Sequence, residues 1–359
     1  MAIGWLSRFA SGAPVAVFAA VGRDAIERVE DLCLDPWIQW VASPRHADLL
    51  LVAGKVRAQD EQALKAVHDQ IPLPRATLWW GSEPFGKIAS SVTVPLIDDA
   101  LPHILKLRAD RSDGEPDLLP DEPPSPWRGE GPNGQGGEGM MGGVPYGRPM
   151  AMTHDDVRDG LQLDEMTVQI GPYLRSWPCG LVLEMALQGD VVQHARIVRP
   201  PYGPTQGTRE NVSSRLRSAA RLLELLELDG LAERCRRAAM ANGDLPSVDA
   251  ALRTAIRRSG AFAALPPRLG MCRVGRVETD VRSRLHAWLG DGAQQSEGDT
   301  SEPKPKLSSL LGGLEWNEAM LVVNSFTSHE LCGMTPREKT QDADSDETHV
   351  EHASMEHGH

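Results

Sequence analysis

Short apolar runs alternate with amphipathic helical patterns through residues 12–107. These patterns predict strands at residues 14–21, 47–54, 76–81 and 92–96, and helices at residues 24–32, 59–70 and 98–107. In residues 47–54 apolar side chains follow one another without alternation, which is typical of a strand that is covered on both faces. The first unit is therefore predicted to be a small doubly wound α/β domain, with a parallel sheet and residues 47–54 as a central strand.

A different pattern begins after residue 160. Residues 161–171 and 181–187 alternate apolar and polar side chains, and a Gln188-Gly-Asp190 turn leads into a further strand at residues 191–198. Beyond residue 209 the apolar positions recur every three or four residues, which predicts two helices meeting near Asp229, a third at residues 248–258 and a fourth at residues 277–289. Residues 160–290 are thus predicted to form an α+β unit of antiparallel strands followed by a helical bundle. A short helical element is predicted at residues 307–326.

Two segments have compositions that disfavour a packed core. Residues 108–150 are dominated by Asp, Glu, Pro and Gly, and they are predicted to form a flexible linker without regular structure. Trp127 and Tyr146 are candidate interface residues, since an aromatic side chain in such a linker can anchor it to a partner; a plain linker is the alternative. The acidic, histidine-rich tail at residues 335–359 is also predicted to be disordered.

Charge and cysteine usage narrow the function classes. The chain of 359 residues carries a formal net charge of −13, so it lacks the positive field of a general nucleic-acid binder. Its five cysteines are odd in number and contain no CxxC pair, which favours a reducing cytoplasm over a disulfide framework. No stretch approaches the roughly 20 apolar residues that span a bilayer. No catalytic constellation of Ser, His, Asp or Cys is readable.

Arginine is concentrated in one part of the chain. Residues 208–290 contain 15 arginines and no lysine against 9 acidic residues, an excess of 6 positive charges. Arg234, Arg236 and Arg237 are the candidate interface residues of this region. A solvated helix face is one interpretation, and docking on an acidic partner subunit through bidentate carboxylate pairs is the other.

The run Ser43-Pro-Arg-His-Ala-Asp-Leu-Leu-Leu-Val-Ala-Gly54 resembles the signature strand of the small, cluster-bearing subunit of respiratory complex I and of membrane-bound energy-converting [NiFe] hydrogenases. The resemblance covers residues 40–110 and implies a flavodoxin-type fold beside a 4Fe–4S cluster. In that family the strand after the next helix ends in Gly-Ser-Cys, and a Pro-Gly-Cys-Pro-Pro segment follows.

The cysteines that the resemblance requires are missing here. Glu83 stands at the first cysteine position, in Trp80-Gly-Ser-Glu83, and residues 94–102 contain no cysteine. Cys33 is the nearest candidate for the family's earlier cysteine pair, and it is alone. A cluster of this type needs four thiolates, and a carboxylate is a poor substitute for a soft ligand. The sequence therefore predicts that the 4Fe–4S cluster has been lost, that no metal or other cofactor is bound, and that Glu83 marks a degenerate cluster position.

A second resemblance covers residues 160–200, which are similar to the N-terminal sheet of the large subunit of the same enzymes. Complex I has a Gly-Pro-x-His-Pro motif there whose histidine approaches quinone, whereas this chain reads Gly171-Pro-Tyr-Leu-Arg175. Leu174 thus stands at a degenerate quinone-site position. About 180 residues lie between the linker and the acidic tail, fewer than a full large subunit has, so the large-subunit-like segment is expected to be truncated.

Together the two resemblances imply a degenerate small subunit fused to a truncated large subunit. The leading hypothesis is a redox-inert structural or coupling subunit of a complex I-like or hydrogenase-related membrane complex, peripheral on the cytoplasmic side and bound to the other subunits. The alternatives are a genuine NADH:quinone-type oxidoreductase subunit, with a quinone or a cluster shared with a neighbour, and a small-molecule-binding regulator.

Overall fold

The computed structural model describes residues 13–84, 91–109, 152–203, 211–241, 248–274, 277–290 and 306–334. The predicted linker anchors Trp127 and Tyr146 and the predicted tail at residues 335–359 lie outside these residues. No helix in the described ranges is both long enough and apolar enough to cross a bilayer.

The first unit is a parallel five-stranded sheet with helices on both faces, as the sequence predicts. Its elements are β1 Val15–Val21, α1 Ile26–Leu32, β2 Ile38–Trp40, β3 Leu49–Ala53, α2 Glu61–Asp69, β4 Ala76–Trp80, β5 Ser91–Val94 and α3 Leu101–Ala109. The strand order is β2-β1-β3-β4-β5, so β3 is central.

The continuous apolar character of β3 follows from its position. Leu49 and Leu51 face the core that is shared with α1 and α3, whereas Leu50 and Val52 face the core on the α2 side. Every residue of β3 is buried. A strand with two buried faces cannot alternate polar and apolar residues, which is why the sequence identified it.

The second unit is a four-stranded antiparallel sheet packed against helices. Its strands are β6 Met152–Asp155, β7 Gln162–Ile170, β8 Val182–Gln188 and β9 Val191–Arg199, with a small hairpin of β10 Cys272–Val274 and β11 Val277–Thr279. Its helices are α4 Val212–Leu225, α5 Asp229–Ala241, α6 Ala250–Arg258, α7 Ala261–Ala264, α8 Val281–Trp288, α9 Leu307–Leu311, α10 Trp316–Asn324 and α11 Ser328–Gly333.

The structure corrects several details of the predicted elements. The sequence does not predict the strands β2, β6 and β10 or the helix α7, and the predicted element at residues 307–326 consists of two helices with a third after it. The predicted helix at residues 277–289 begins at Val281, after β11. Asp280 and Ser283 form a capping box there, because the Asp280 carboxylate accepts from the Ser283 backbone while the Ser283 hydroxyl accepts from the Asp280 N–H.

Candidate functional site: the junction between the two units

The loop between β7 and β8, residues 171–181, joins the second unit to the first. Tyr173 is buried in the core on the α2 side of the first unit, together with Leu50 and Trp79. Cys179, from the same loop, packs against the core on the opposite face of that sheet. A single loop of the second unit therefore contributes to both cores of the first.

The loop depends on glycine at two points. Gly171 has φ +100°, and a Cβ built on it would lie 2.1 Å from the Leu181 carbonyl oxygen. Gly180 has φ +79°, and its Cβ would lie 2.8 Å from the Tyr202 ring. Trp177 closes the loop, since its indole N–H donates to the Leu181 carbonyl at 2.8 Å. A side chain at either glycine would therefore force the loop to change its own conformation.

Arg57 is the first of the polar contacts across the junction. Its Nη1 donates to the carbonyl oxygens of Gly180 at 3.0 Å and Pro200 at 2.9 Å. Its guanidinium carbon also lies 4.3 Å from the centroid of the Tyr202 ring, within the range of a cation–π contact. Because Arg57 follows β3, this contact lies at the carboxyl end of the parallel sheet, where α/β folds bind their ligands.

Arg217 on α4 makes the second contact. Its Nη1 lies 2.8 Å from Glu30 Oε2 and its Nη2 lies 2.8 Å from Asp31 Oδ1, and both acids belong to α1. Glu30 and Arg217 are buried, so this ion pair is shielded from solvent. Burial alone would lower the pKa of Arg217, but the charge of Glu30 and the hydrogen bonds to both acids outweigh it and raise that pKa.

Glu224, near the end of α4, is the centre of a third contact. Its carboxylate lies 2.7 Å from Arg236 Nη2 on α5, and it accepts a hydrogen bond from Arg175 Nε at 2.9 Å and another from the Ser176 hydroxyl. Arg175 Nη1 donates to the Trp40 carbonyl oxygen at 2.6 Å. The guanidinium carbons of Arg175 and Arg236 lie 5.5 and 5.8 Å from the centroid of the Trp40 ring. Trp40 ends β2, so these side chains hold the edge of the first unit; we call Glu224, Arg175, Arg236 and Trp40 the latch.

The surroundings of Glu224 in the latch favour its charged carboxylate form. Burial alone would raise the pKa of Glu224, but the charges of Arg236 and Arg175 outweigh it and the pKa lies below its usual value. The side chain of Glu224 is 7% exposed and that of Arg236 is 8% exposed, so the charges are neutralised by each other rather than by solvent.

The three predicted arginines have different environments. Arg236 is buried in the latch, so the expectation of a solvated helix face is wrong for this residue, and its carboxylate partner belongs to the same chain. Arg237 pairs with Glu233 at 2.8 Å on the surface of α5 and donates to the Leu34 carbonyl at 3.2 Å. Arg234 is exposed. Arg236 and Arg237 thus contact the first unit, Arg236 at the Trp40 ring and Arg237 at the Leu34 carbonyl.

Leu174 is 41% exposed and lines a small cavity at the junction. Trp40, Trp177, Cys179 and Glu30 also line it. The cavity volume, measured as the space open to the centre of a water molecule, is about 20 Å³, so the cavity has room for about one water molecule. A quinone ring would need the junction to open before it could enter.

Glu83 is exposed and follows β4. At the same carboxyl edge of the sheet, the turns that follow β1 and β3 contact each other through their backbones. A Cβ on Gly22 would lie 2.6 Å from the Lys55 carbonyl, and one on Gly54 would lie 2.3 Å from the Arg23 carbonyl oxygen. Arg23 and Lys55 exchange backbone hydrogen bonds of 2.9 and 3.2 Å. These turns pair with each other instead of forming an open cradle.

The five cysteines are free thiols. Cys33 caps α1, and burial raises the pKa of its thiol. Burial likewise raises the pKa of Cys179 to about 12 and that of Cys235 to about 12. A 4Fe–4S cluster needs four thiolates that converge on one site. In the part of the chain that the structure describes, no three His, Cys, Asp or Glu side chains are grouped to hold a metal ion.

The sequence does not predict the roles of Glu224, Arg217 and Trp40, whose contacts hold the two units together. The available signal was the use of arginine without lysine on α4 and α5, because planar guanidinium groups are preferred for buried bidentate pairs. The acids that they pair with gave no signal, since Glu30 and Glu224 lie in ordinary helical patterns. Glu30 and Arg217, for example, lie 187 residues apart in the sequence.

No family model matches the chain. A probable membrane-bound hydrogenase subunit, mbhJ, of Pyrococcus furiosus is 43% identical to this chain over 49 residues. The match covers 14% of this chain and 29% of the length of that subunit. The chain therefore has a partial similarity to a subunit of a membrane-bound hydrogenase.

Proposed function

We propose that this protein is a redox-inert structural or coupling subunit of a membrane complex related to energy-converting hydrogenases and complex I. It acts as a peripheral component on the cytoplasmic side, where it binds other subunits of the assembly. The partial similarity to a membrane-bound hydrogenase subunit supports the class of complex.

The chemistry of the expected cluster position carries the redox-inert part of the proposal. A carboxylate replaces the thiolate there, and it is exposed at Glu83. The adjoining turns are closed by the backbone pairing of Arg23 and Lys55. A carboxylate has no accessible redox couple, so Glu83 cannot relay an electron as a thiolate-bound cluster would.

The junction supports the structural part. The loop at residues 171–181, the latch and the Arg217 pair hold the second unit against the first within one chain. Each buried charge needs its partner, so these pairs favour one orientation of the two units. A two-unit module of this kind suits a subunit that transmits force or position between a soluble module and a membrane arm.

Purification with partners is the first experiment. We expect the tagged full chain, isolated from detergent-solubilised membranes of its own host, to carry antiporter-like membrane subunits with it. A junction variant, Arg217→Met, is expected to reduce that recovery, while the surface variant Arg234→Met is expected to retain it. Recovery of the chain without any membrane subunit would contradict the proposed class of complex.

Iron analysis is the second experiment, and it separates the redox-inert proposal from an oxidoreductase role. The full chain purified anaerobically, and its partner complex, are assayed for iron and acid-labile sulfide. We expect the chain alone to contain far less than the four irons per chain of a 4Fe–4S cluster. Stoichiometric iron with a reducible chromophore in the isolated chain would overturn the proposal, and a cluster that appears in the complex and needs Cys33 would indicate ligands shared with a neighbour.

The carboxylate itself can be tested in the assembly. Glu83→Gln is expected to leave the electron-transfer rate of the purified complex unchanged, as is the control Glu61→Gln at the exposed start of α2. Loss of assembly in Glu83→Gln alone would indicate an ion pair with a partner. Loss of quinone reduction with assembly intact would show that the redox-inert assignment is wrong.

A further inference from the structure

Asp60 is a fully buried carboxyl group at the junction. It ends the short turn Ala58–Asp60 that leads into α2, and its exposed fraction is 0%. Its Oδ1 lies 2.7 Å from Nη2 of Arg199, the last residue of β9. Neither oxygen of the Asp60 carboxyl group has a hydrogen-bond partner among the described residues, so the contact of Oδ1 with Arg199 is a contact between charges only. One acid of the first unit is thus enclosed by the second unit, and its Oδ2 takes no part in the contact with Arg199.

Two phenol groups share this environment. The hydroxyl groups of Tyr173 and Tyr202 are buried, and neither has a hydrogen-bond partner within the described ranges. Both belong to segments of the second unit that reach the first. The charged and titratable groups facing Asp60 are therefore Arg199, Arg57, Tyr173 and Tyr202.

These groups oppose each other in their effect on Asp60. Burial is the largest effect, and it raises the pKa of Asp60 above its ordinary value of 3.8, although the charges of Arg199 and Arg57 act in the lowering direction. Burial also raises the pKa values of Tyr173 and Tyr202, so both phenols stay neutral and supply no second negative charge. The unpartnered Oδ2 is the atom that can hold a proton.

We propose that Asp60 is a proton-binding site of the junction, so that seating the second unit on the first takes up one proton from water onto Asp60 Oδ2. The carboxyl group then lies neutral beside Arg199, whose side chain is 23% exposed to water. Arg57 keeps its contacts with the carbonyl oxygens of Gly180 and Pro200 and with the Tyr202 ring. Separation of the units exposes Asp60 to water and releases the proton.

The direction of the pH effect follows from linkage. Because the folded-state pKa is higher than the unfolded value, the folded protein binds more protons between the two values. Asp60 therefore stabilises the joined state as the pH falls through its folded pKa, and this contribution is lost as the pH rises. Glu224, whose pKa is lowered, acts in the opposite direction. The inference concerns the junction of this chain and holds whether or not the proposed membrane partners bind.

The test is a titration of the full chain labelled with carbon-13 at the aspartate carboxyl groups. The signal that disappears in Asp60→Asn identifies the group, and Asp69→Asn, on the exposed end of α2, is the matched control that leaves that signal in place. We expect the Asp60 midpoint to lie above 3.8 in the wild-type protein. We also expect Arg199→Gln to move it further upward, because a positive charge that favours the ionised form is removed.

A midpoint at or below 3.8 would overturn the proposal, because the ion pair with Arg199 would then dominate over burial. An Asp60 midpoint that does not respond to Arg199→Gln would also overturn it, since Arg199 would then not lie beside the titrating carboxyl group. If Asp60→Asn does not fold, the signal that moves in Arg199→Gln identifies Asp60.

Discussion

The latch gives a quantitative prediction about Glu224. Replacing Glu224 with Gln keeps the shape of the side chain and removes the charge that neutralises Arg236 and Arg175. Removal of one partner of a buried ion pair costs about 3–5 kcal/mol, because the remaining charge stays desolvated. Arg175 is 29% exposed and can be partly solvated, so Arg236, which is 8% exposed, accounts for most of the cost. We therefore expect a loss near the lower end, about 3 kcal/mol.

The assay is urea-induced unfolding of the full chain at neutral pH, followed by tryptophan fluorescence, to which Trp40 in the latch contributes. The matched control is Glu233→Gln, which removes the carboxylate that pairs with Arg237 on the same helical layer. Those two side chains are 53% and 56% exposed, and an exposed pair spaced by four residues contributes about 0.3–0.5 kcal/mol. The expected ratio of the two effects is thus large enough to be measured from the midpoints.

A double variant adds a second condition. Arg236→Met combined with Glu224→Gln removes both buried charges, so the pair of changes should cost less than the sum of the single changes. The reasoning is refuted if Glu224→Gln costs no more than Glu233→Gln, or if the double variant is strictly additive. Either result would mean that the latch is solvated and does not fix the junction.

Three further predictions follow from the same region. Gly180→Ala should destabilise the protein by more than Gly189→Ala, because both glycines have positive φ but only the former meets the Tyr202 ring; thermal unfolding of the two variants compares them. The Glu224 contribution should be present above pH 4.5 and decline as the pH falls through its lowered folded-state pKa; an unchanged acid-side slope in Glu224→Gln would contradict this. Cys179, with a pKa of about 12, should react with iodoacetamide at pH 8 much more slowly in the folded than in the unfolded chain. Equal rates, measured by mass spectrometry, would show that the fold does not protect this thiol.

The sequence by itself determined the parts of the fold whose signals are local. The unbroken apolar run of β3 predicts a strand buried on both faces, and the structure confirms it as the central strand. The regular spacing on α4 and α5 predicts two amphipathic helices, which the structure also contains. In each case the residues that define the pattern are neighbours along the chain, so their order shows which faces of the element are buried.

The short strand β2 and the polar strand β6 form because of the strands with which they pair. The strand β2 has three residues and exists because Ile38–Trp40 pairs with β1. The strand β6 is polar and is held by its antiparallel register with β7. Neither has an apolar pattern long enough to be read, because hydrogen bonding to a neighbouring strand, rather than burial of a face, fixes the backbone.

The candidate site belongs to the tertiary structure. The excess of arginine indicated pairing with carboxylates, but it gave no indication that the carboxylates belong to the same chain or that Arg236 is buried. Glu30 and Arg217, 187 residues apart in the sequence, become partners because the loop at residues 171–181 packs the second unit against the first. Charge pairing depends on distance in space and on exclusion of water, and neither quantity is encoded in the spacing of residues along the chain.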